Sequence, residues 1–227
     1  MVIAIDGPAG SGKSTVARLV AERLGFTYID TGAMYRAVTL AALERGVDIT
    51  DGSTLGELAR SLNLQLDAAG EPTGQSQSRV QMDGRDVSED IRTVSVTDAV
   101  SAVSAHPQVR QAMTAIQRSL ADGRDAVLEG RDIGTVVFPQ AETKVFLTAS
   151  VTERAKRRRG QLVQQGINLA PDEVERDIER RDALDSSRAQ APLLKAQDAW
   201  EIDTTALTID EVVSRVCALA AKAGARC

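Results

Sequence analysis

Short apolar runs alternate with amphipathic stretches along most of the chain. Val2-Ile3-Ala4-Ile5, Phe26 to Asp30, Ala126-Val127-Leu128, Thr143 to Thr148 and Trp200 to Asp203 read as five strands. Apolar residues three and four apart mark the helices between them. Val16, Ala17, Leu19, Val20 and Leu24 lie in a helix over about 13–24, and Ala37, Val38, Leu40, Ala41 and Leu43 in one opened by Thr31 and ended near Gly46. Further helices are predicted over about 92–104, over 107–121 and from Pro171 to Arg188. Ser150-Val151-Thr152-Glu153 and Thr208-Ile209-Asp210-Glu211 are capping boxes that predict two more.

Residues 47–90 break this rhythm. Thr54-Leu55-Gly56-Glu57 predicts the start of a short helix, Leu62, Leu64 and Leu66 alternate as in a strand, and Gly70 to Ser78 reads as an exposed connection. Asp83-Gly84, inside the run Val80 to Val87, predicts a hairpin with a type I′ turn. The pattern as a whole predicts an α/β fold: a five-stranded parallel sheet with helices on both faces and a small antiparallel β insertion. In such a sheet ligands bind at the carboxyl ends of the strands.

One stretch supplies the chemistry. Gly7-Pro8-Ala9-Gly10-Ser11-Gly12-Lys13-Ser14-Thr15 matches the phosphate-loop pattern GxxxxGK[ST] and stands between a strand and a helix, as that motif requires. Glycines let the backbone N–H groups converge on anionic oxygens at the positive end of a helix. Lys13 is then placed to reach the β and γ phosphates of ATP, and the Ser14 hydroxyl to bind Mg²⁺.

With 227 residues, 43% hydrophobic and 26% charged, the chain suits one sizeable domain, taken here as 1–227. The net charge of −5 argues against a general nucleic-acid surface. No apolar stretch reaches membrane-spanning length, and Met1 leads directly into the first strand, so the expected location is the cytoplasm. Cys217 and Cys227 suit neither a disulfide framework nor a metal site, and the single histidine, His106, leaves phosphate and carboxylate chemistry to do the work. A monomer is expected, because no amphipathic stretch is left over once the sheet is covered.

Two helical faces carry charge. Arg154, Arg157 and Arg158 stand at i, i+3 and i+4, which predicts one shared face of a lid, about residues 151–170, closing over ATP. Arg181, Asp185 and Arg188 at i, i+4 and i+7 again share a face, either as an ion pair in solvent or turned toward the cleft.

Taken together and in order, these blocks resemble the bacterial cytidylate (CMP) kinases of the P-loop nucleoside monophosphate kinase group. The resemblance rests on Ile5 to Thr15, on Asp30-Thr31-Gly32-Ala33-Met34-Tyr35-Arg36, on Gly130 to Pro139, and on Arg181, Asp185 and Arg188 before Ala191-Pro192-Leu193. It implies transfer of the γ-phosphoryl group of Mg·ATP to the 5′-phosphate of CMP or dCMP. It also implies that residues 31–120 bind the acceptor, with a β lobe at about 62–90. By the same resemblance Arg36 and Arg131 hold the acceptor phosphate, and Ser101, Arg110 and Asp132 read the cytosine with Thr31 close by. Tyr35 walls the pocket, while Arg181, Asp185 and Arg188 hold the sugar and nearby phosphate. Lys13, Arg36, Arg131 and Arg157 are the expected catalytic groups. Thr31 stands where serine is usual and Glu129 where aspartate is common. Glu129 is either a direct Mg²⁺ ligand or a carboxylate that acts through water or orients Ser14.

Two other readings fit parts of the pattern. A P-loop kinase acting on a metabolite hydroxyl would need a carboxylate base such as Asp30 or Asp132. A regulatory nucleotide-binding protein would need no acceptor site, and the sequence lacks the Asn-Lys-x-Asp guanine motif of GTPases.

Overall fold

The computed structural model describes residues 1–66, 79–164 and 166–225; the connection expected at Gly70 to Ser78, and Cys227, lie outside them. Five strands form the main sheet: β1 (Val2–Asp6), β2 (Thr27–Asp30), β6 (Ala126–Gly130), β7 (Thr143–Thr148) and β8 (Trp200–Asp203). All run parallel in the order β2-β6-β1-β7-β8. Because β1 is central, its two faces are both covered, which explains a strand with no polar position before Asp6. Ile3 and Ile5 pack toward α1 (Lys13–Leu24) and α8 (Ile209–Lys222) with Val16, Val20, Val213 and Val216. Ala4 faces the other way, with Leu128, Ile133 and Ala121 of α5 (Pro107–Ala121).

The segment between β2 and β6 has a core of its own. It comprises α2 (Thr31–Glu44), α3 (Gly52–Ser61), an antiparallel sheet of β3 (Leu64–Leu66), β4 (Val80–Met82) and β5 (Arg85–Asp86), a 3₁₀ turn Asp90–Arg92, α4 (Val94–Val103) and α5. Met34, Leu55, Val80, Ile91 and Met113 are among its buried residues. Helices supply most of that core. The hairpin turns through Asp83 at φ 52° and Gly84 at φ 82°, as the type I′ reading requires. Ion pairs Arg45–Asp83 (2.9 Å) and Arg85–Glu44 (2.6 Å) seat it on the end of α2.

The start of α3 differs from the sequence reading. Helix α3 starts at Gly52, before Thr54, because Asp51 accepts hydrogen bonds from the Ser53 and Thr54 amides at 3.0 and 3.1 Å. The Thr54 hydroxyl is committed to the other Asp51 oxygen at 2.6 Å and caps nothing itself. Helix α6 (Val151–Gln164) runs through Gly160, and the left-handed residue beyond it is Gly166 at φ 77°. It packs on α7 (Pro171–Ser186) through Ala155, Leu162, Val174 and Ile178. Among the described residues no helix is long and apolar enough to cross a membrane.

Candidate active site: a phosphate loop facing an arginine cluster

The phosphate loop leaves β1 at the carboxyl edge of the sheet, and the backbone there admits little but glycine. A Cβ on Gly7 would lie 2.0 Å from the Leu147 carbonyl oxygen, and Gly10, at φ 76°, has Arg154 3.0 Å from where its Cβ would stand. Lys13, the first residue of α1, donates to the Pro8 carbonyl at 2.7 Å within the loop. Burial and then Arg131 push its pKa down to about 7, against Glu129, Asp185 and Asp6. A phosphate oxyanion beside Lys13 would oppose that shift.

Ser14 donates to Glu129 Oε2 at 2.8 Å, and the Tyr28 hydroxyl donates to Glu129 Oε1. Burial and Asp30 raise the Glu129 pKa to about 7, although Lys13, Tyr28 and Ser14 favour the anion. Glu129 thus shares its two oxygens between the Ser14 and Tyr28 hydroxyls. Ser14 and Glu129 together offer two hard oxygen donors. Among the described residues no group of three or more His, Cys, Asp and Glu side chains forms a metal cage. That donor set fits an ion that draws most of its ligands from water and phosphate, as Mg²⁺ does.

Arginines gather close to Lys13. Arg131, following β6, donates to Asp185 at 2.8 Å, and Arg188 donates to the other Asp185 oxygen. Burial raises the Asp185 pKa, but Arg131 and Arg188 overcome it and hold the carboxyl below its ordinary range. Arg181 and Asp185 thus share an inward face of α7, while Arg188, expected on the same helix, lies beyond its end at Ser186 and reaches Asp185 from there. Arg36 donates to Thr97 Oγ1 at 2.9 Å and to the Ile91 carbonyl at 3.3 Å. Burial, then Arg181 and Arg158, push its pKa down to about 10. Arg181 is itself lowered, by burial and then Arg131 and Arg158. Cations that depress one another across a cleft make a site that favours anions.

The residues expected to read a base form a neighbouring group. Arg110 pairs with Asp132 at 2.5 Å, donates to the Ser104 carbonyl at 3.1 Å, and places its guanidinium 5.3 Å from the centre of the Tyr35 ring. Ser101 lies half-buried on α4, and its carbonyl accepts from Ser104 at 3.3 Å. Thr31 is buried, with its hydroxyl donated to the Glu129 carbonyl at 2.6 Å. In this arrangement that hydroxyl serves the backbone and not an acceptor base.

The shared face of Arg154, Arg157 and Arg158 divides. Arg154 is buried, donates to the Ala9 and Ala149 carbonyls at 3.1 Å each, and pairs with Asp182 at 2.7 Å. It clamps the phosphate loop to α6 and α7. Arg157 lies near Gly12 and donates to the Thr204 hydroxyl and carbonyl at 2.9 and 2.7 Å. Arg158 instead acts on Arg36 and Arg181. Residues three and four apart share a helical face, but their long side chains reach different partners: the phosphate loop, Thr204 and the Arg36–Arg181 cluster.

Sequence reading missed four contributors. Asp6 and Thr204 end or follow strands at the same sheet edge, and Thr204 donates to the Thr148 carbonyl at 3.0 Å. Tyr28 and Asp182 complete the Glu129 and Arg154 clusters. Position at a strand's carboxyl end could have marked Asp6 and Thr204; nothing local marks Asp182.

A family model described as cytidylate kinase matches residues 3–222. The chain is 52% identical over 214 residues to a cytidylate kinase of Shouchella clausii, covering 94% of this chain and 93% of that protein. It is 53% identical to one from Geobacillus kaustophilus at the same coverage, and 50% identical to one from Alkaliphilus oremlandii over 94% of both chains. Matches of this depth, running from β1 through α8 and taking in both the phosphate loop and the arginine cluster, place the chain in the cytidylate kinase family.

Proposed function

We propose that the protein transfers the γ-phosphoryl group of ATP to the 5′-phosphate of CMP and dCMP, releasing ADP and CDP or dCDP. The observation that carries this reading is the close placement of cations: Arg181 and Arg158 depress the Arg36 pKa, Arg131 and Arg158 depress that of Arg181, and Arg131 depresses that of Lys13 in the phosphate loop. A phosphate monoester is largely dianionic at neutral pH, since its second pKa is about 6, so the acceptor needs no base. The barrier is repulsion between two polyanions. Lys13 and the loop N–H groups hold the donor phosphates, and Arg36, Arg131 and Arg181 hold the acceptor phosphate in line. Ser14, and Glu129 directly or through water, would hold Mg²⁺, which supplies positive charge shared between the donor phosphates.

On this reading residues 31–120 bind the acceptor, with Ser101, Arg110 and Asp132 toward the base, Tyr35 as a wall and Thr31 lining the floor. Asp185 and Arg188 face the sugar. Segment 151–170 closes over ATP, with Arg157 at the phosphates. The working form is a cytoplasmic monomer.

Kinases that phosphorylate a hydroxyl need a carboxylate free to take its proton. Neither candidate suits that role: Asp30 caps α2 through the Ala33 amide at 2.9 Å, and Asp132 is paired with Arg110. The deciding experiment is a coupled assay of ADP release with Mg·ATP across AMP, GMP, CMP, UMP, dCMP and a set of sugars. Turnover concentrated on CMP and dCMP is expected. Equal rates on all acceptors, or turnover on sugars but not on CMP, would overturn the proposal.

A further inference from the structure

The short π-helical turn Ile133–Val137 follows Arg131 and Asp132, and the amides that open it have no carbonyl partner within the turn. Asp132 occupies the capping position, and aspartate there ordinarily takes such amides with its own side chain. Here it makes no capping bond, and its carboxylate is on Arg110 at 2.5 Å. The cap comes from the neighbouring strand. Asp6, last residue of β1 and in register with Gly130, accepts from the Ile133 amide with one oxygen at 2.8 Å and from the Gly134 amide with the other at 2.7 Å. Asp6 is only 5% exposed. At Gly134 a Cβ would press on Lys144 Cδ at 3.2 Å and only touch Asp6 Oδ2, at 3.4 Å.

We propose that Asp6 is a positioning residue for the acceptor base: by capping the turn from β1 it frees Asp132 to face Arg110 and the cytosine. The inference rests on the proposed role of Asp132 toward the base. Without the cap, the Ile133 and Gly134 amides compete for the Asp132 carboxylate, which is the nearest in sequence, and Arg110 loses its partner. Asp6 also directly precedes Gly7, so the same side chain joins the acceptor loop to the start of the phosphate loop.

Asp6→Asn keeps the shape but turns an NH₂ toward one of the two amides. The KM for CMP is expected to rise about 10-fold, and the preference for CMP over UMP in kcat/KM to narrow by a similar factor. The KM for ATP should stay within about two-fold, whereas a purely structural lesion beside Gly7 would weaken both substrates. Because Asp6 acts through Asp132, adding Asp6→Asn to Asp132→Asn should change the KM for CMP by less than about two-fold. Full additivity, or parallel losses of ATP and CMP affinity, would overturn the inference. An Asp132→Asn enzyme with unchanged CMP kinetics overturns the role of Asp132 itself, and this inference with it. A damaged Asp132→Asn beside a normal Asp6→Asn overturns the cap alone. If Asp6→Asn does not fold, hydrogen exchange in the wild-type protein decides: protection of the Ile133 and Gly134 amides by about 100-fold or more supports the cap, and unprotected amides overturn it.

Discussion

Arg154 offers the sharpest test of how the arginines of α6 divide their work. Replacing it by methionine keeps most of the stem and removes the guanidinium. Two hydrogen bonds, to the Ala149 and Ala9 carbonyls, and the ion pair with Asp182 go with it. Bonds to charged groups are worth roughly 2 kcal/mol each, but the three are not additive, since Asp182 is 24% exposed and recovers water. Breaking a pair that is mostly buried from one side costs about 3–5 kcal/mol, so a loss of about 4 kcal/mol is expected. In a domain of this size that lowers the melting temperature by about 10 °C. Urea unfolding followed by circular dichroism gives the stability, and ADP release at saturating substrates gives kcat. Arg154→Met should lose stability heavily, and at a temperature where it remains folded its kcat should fall no more than about 10-fold. A variant with unchanged stability and abolished turnover would refute the clamp and return Arg154 to the transferred phosphate.

Arg157→Ala should behave in the opposite way, with kcat lowered about 100-fold or more and stability by only about 1–2 kcal/mol, measured by the same pair of assays. Asp185 bears on pH. Its folded pKa is depressed, so its contribution to stability is complete above the unfolded value near 4 and is lost as pH falls through the folded one. Unfolding free energies taken across the acid range should therefore show a shallower acid limb in Asp185→Asn than in the wild type. Gly56→Ala is expected to destabilise by about 2 kcal/mol despite alanine's better helix propensity, because a Cβ there would lie 2.4 Å from Gln108 Cβ and force α3 off α5. A neutral or stabilising result in thermal unfolding would show that the two helices separate freely.

The sheet, the phosphate loop and the Asp83-Gly84 hairpin were legible because each has a local cause: an apolar period, a backbone that only glycine tolerates, a turn that needs φ above zero. The inward face of α7 was legible in outline, since Arg181 and Asp185 share it by spacing, but Arg188 was placed on a helix that ends at Ser186. Which arginine meets which carboxylate was not. Arg110 and Asp132, or Arg131 and Asp185, become partners only once β6 has taken its place beside β1 and α7 has closed on the sheet. Periodicity likewise assigned Arg154 to the face of a lid closing over ATP, when the phosphate loop itself runs beneath that part of α6. Thr54 misled for a simpler reason: a stronger cap, Asp51, stood three residues upstream and took the amides first.

The strand order also governs how the chain is made. β1 takes both its neighbours from later sequence, β6 beginning at Ala126 and β7 at Thr143, so on the ribosome it emerges about 120 residues ahead of its first partner. At translation speeds of about 5–20 residues per second, Val2-Ile3-Ala4-Ile5 then waits on the order of ten seconds with both edges unpaired. Nascent-chain association with a holdase should therefore be strongest before β6 is synthesised and fall away once it can dock.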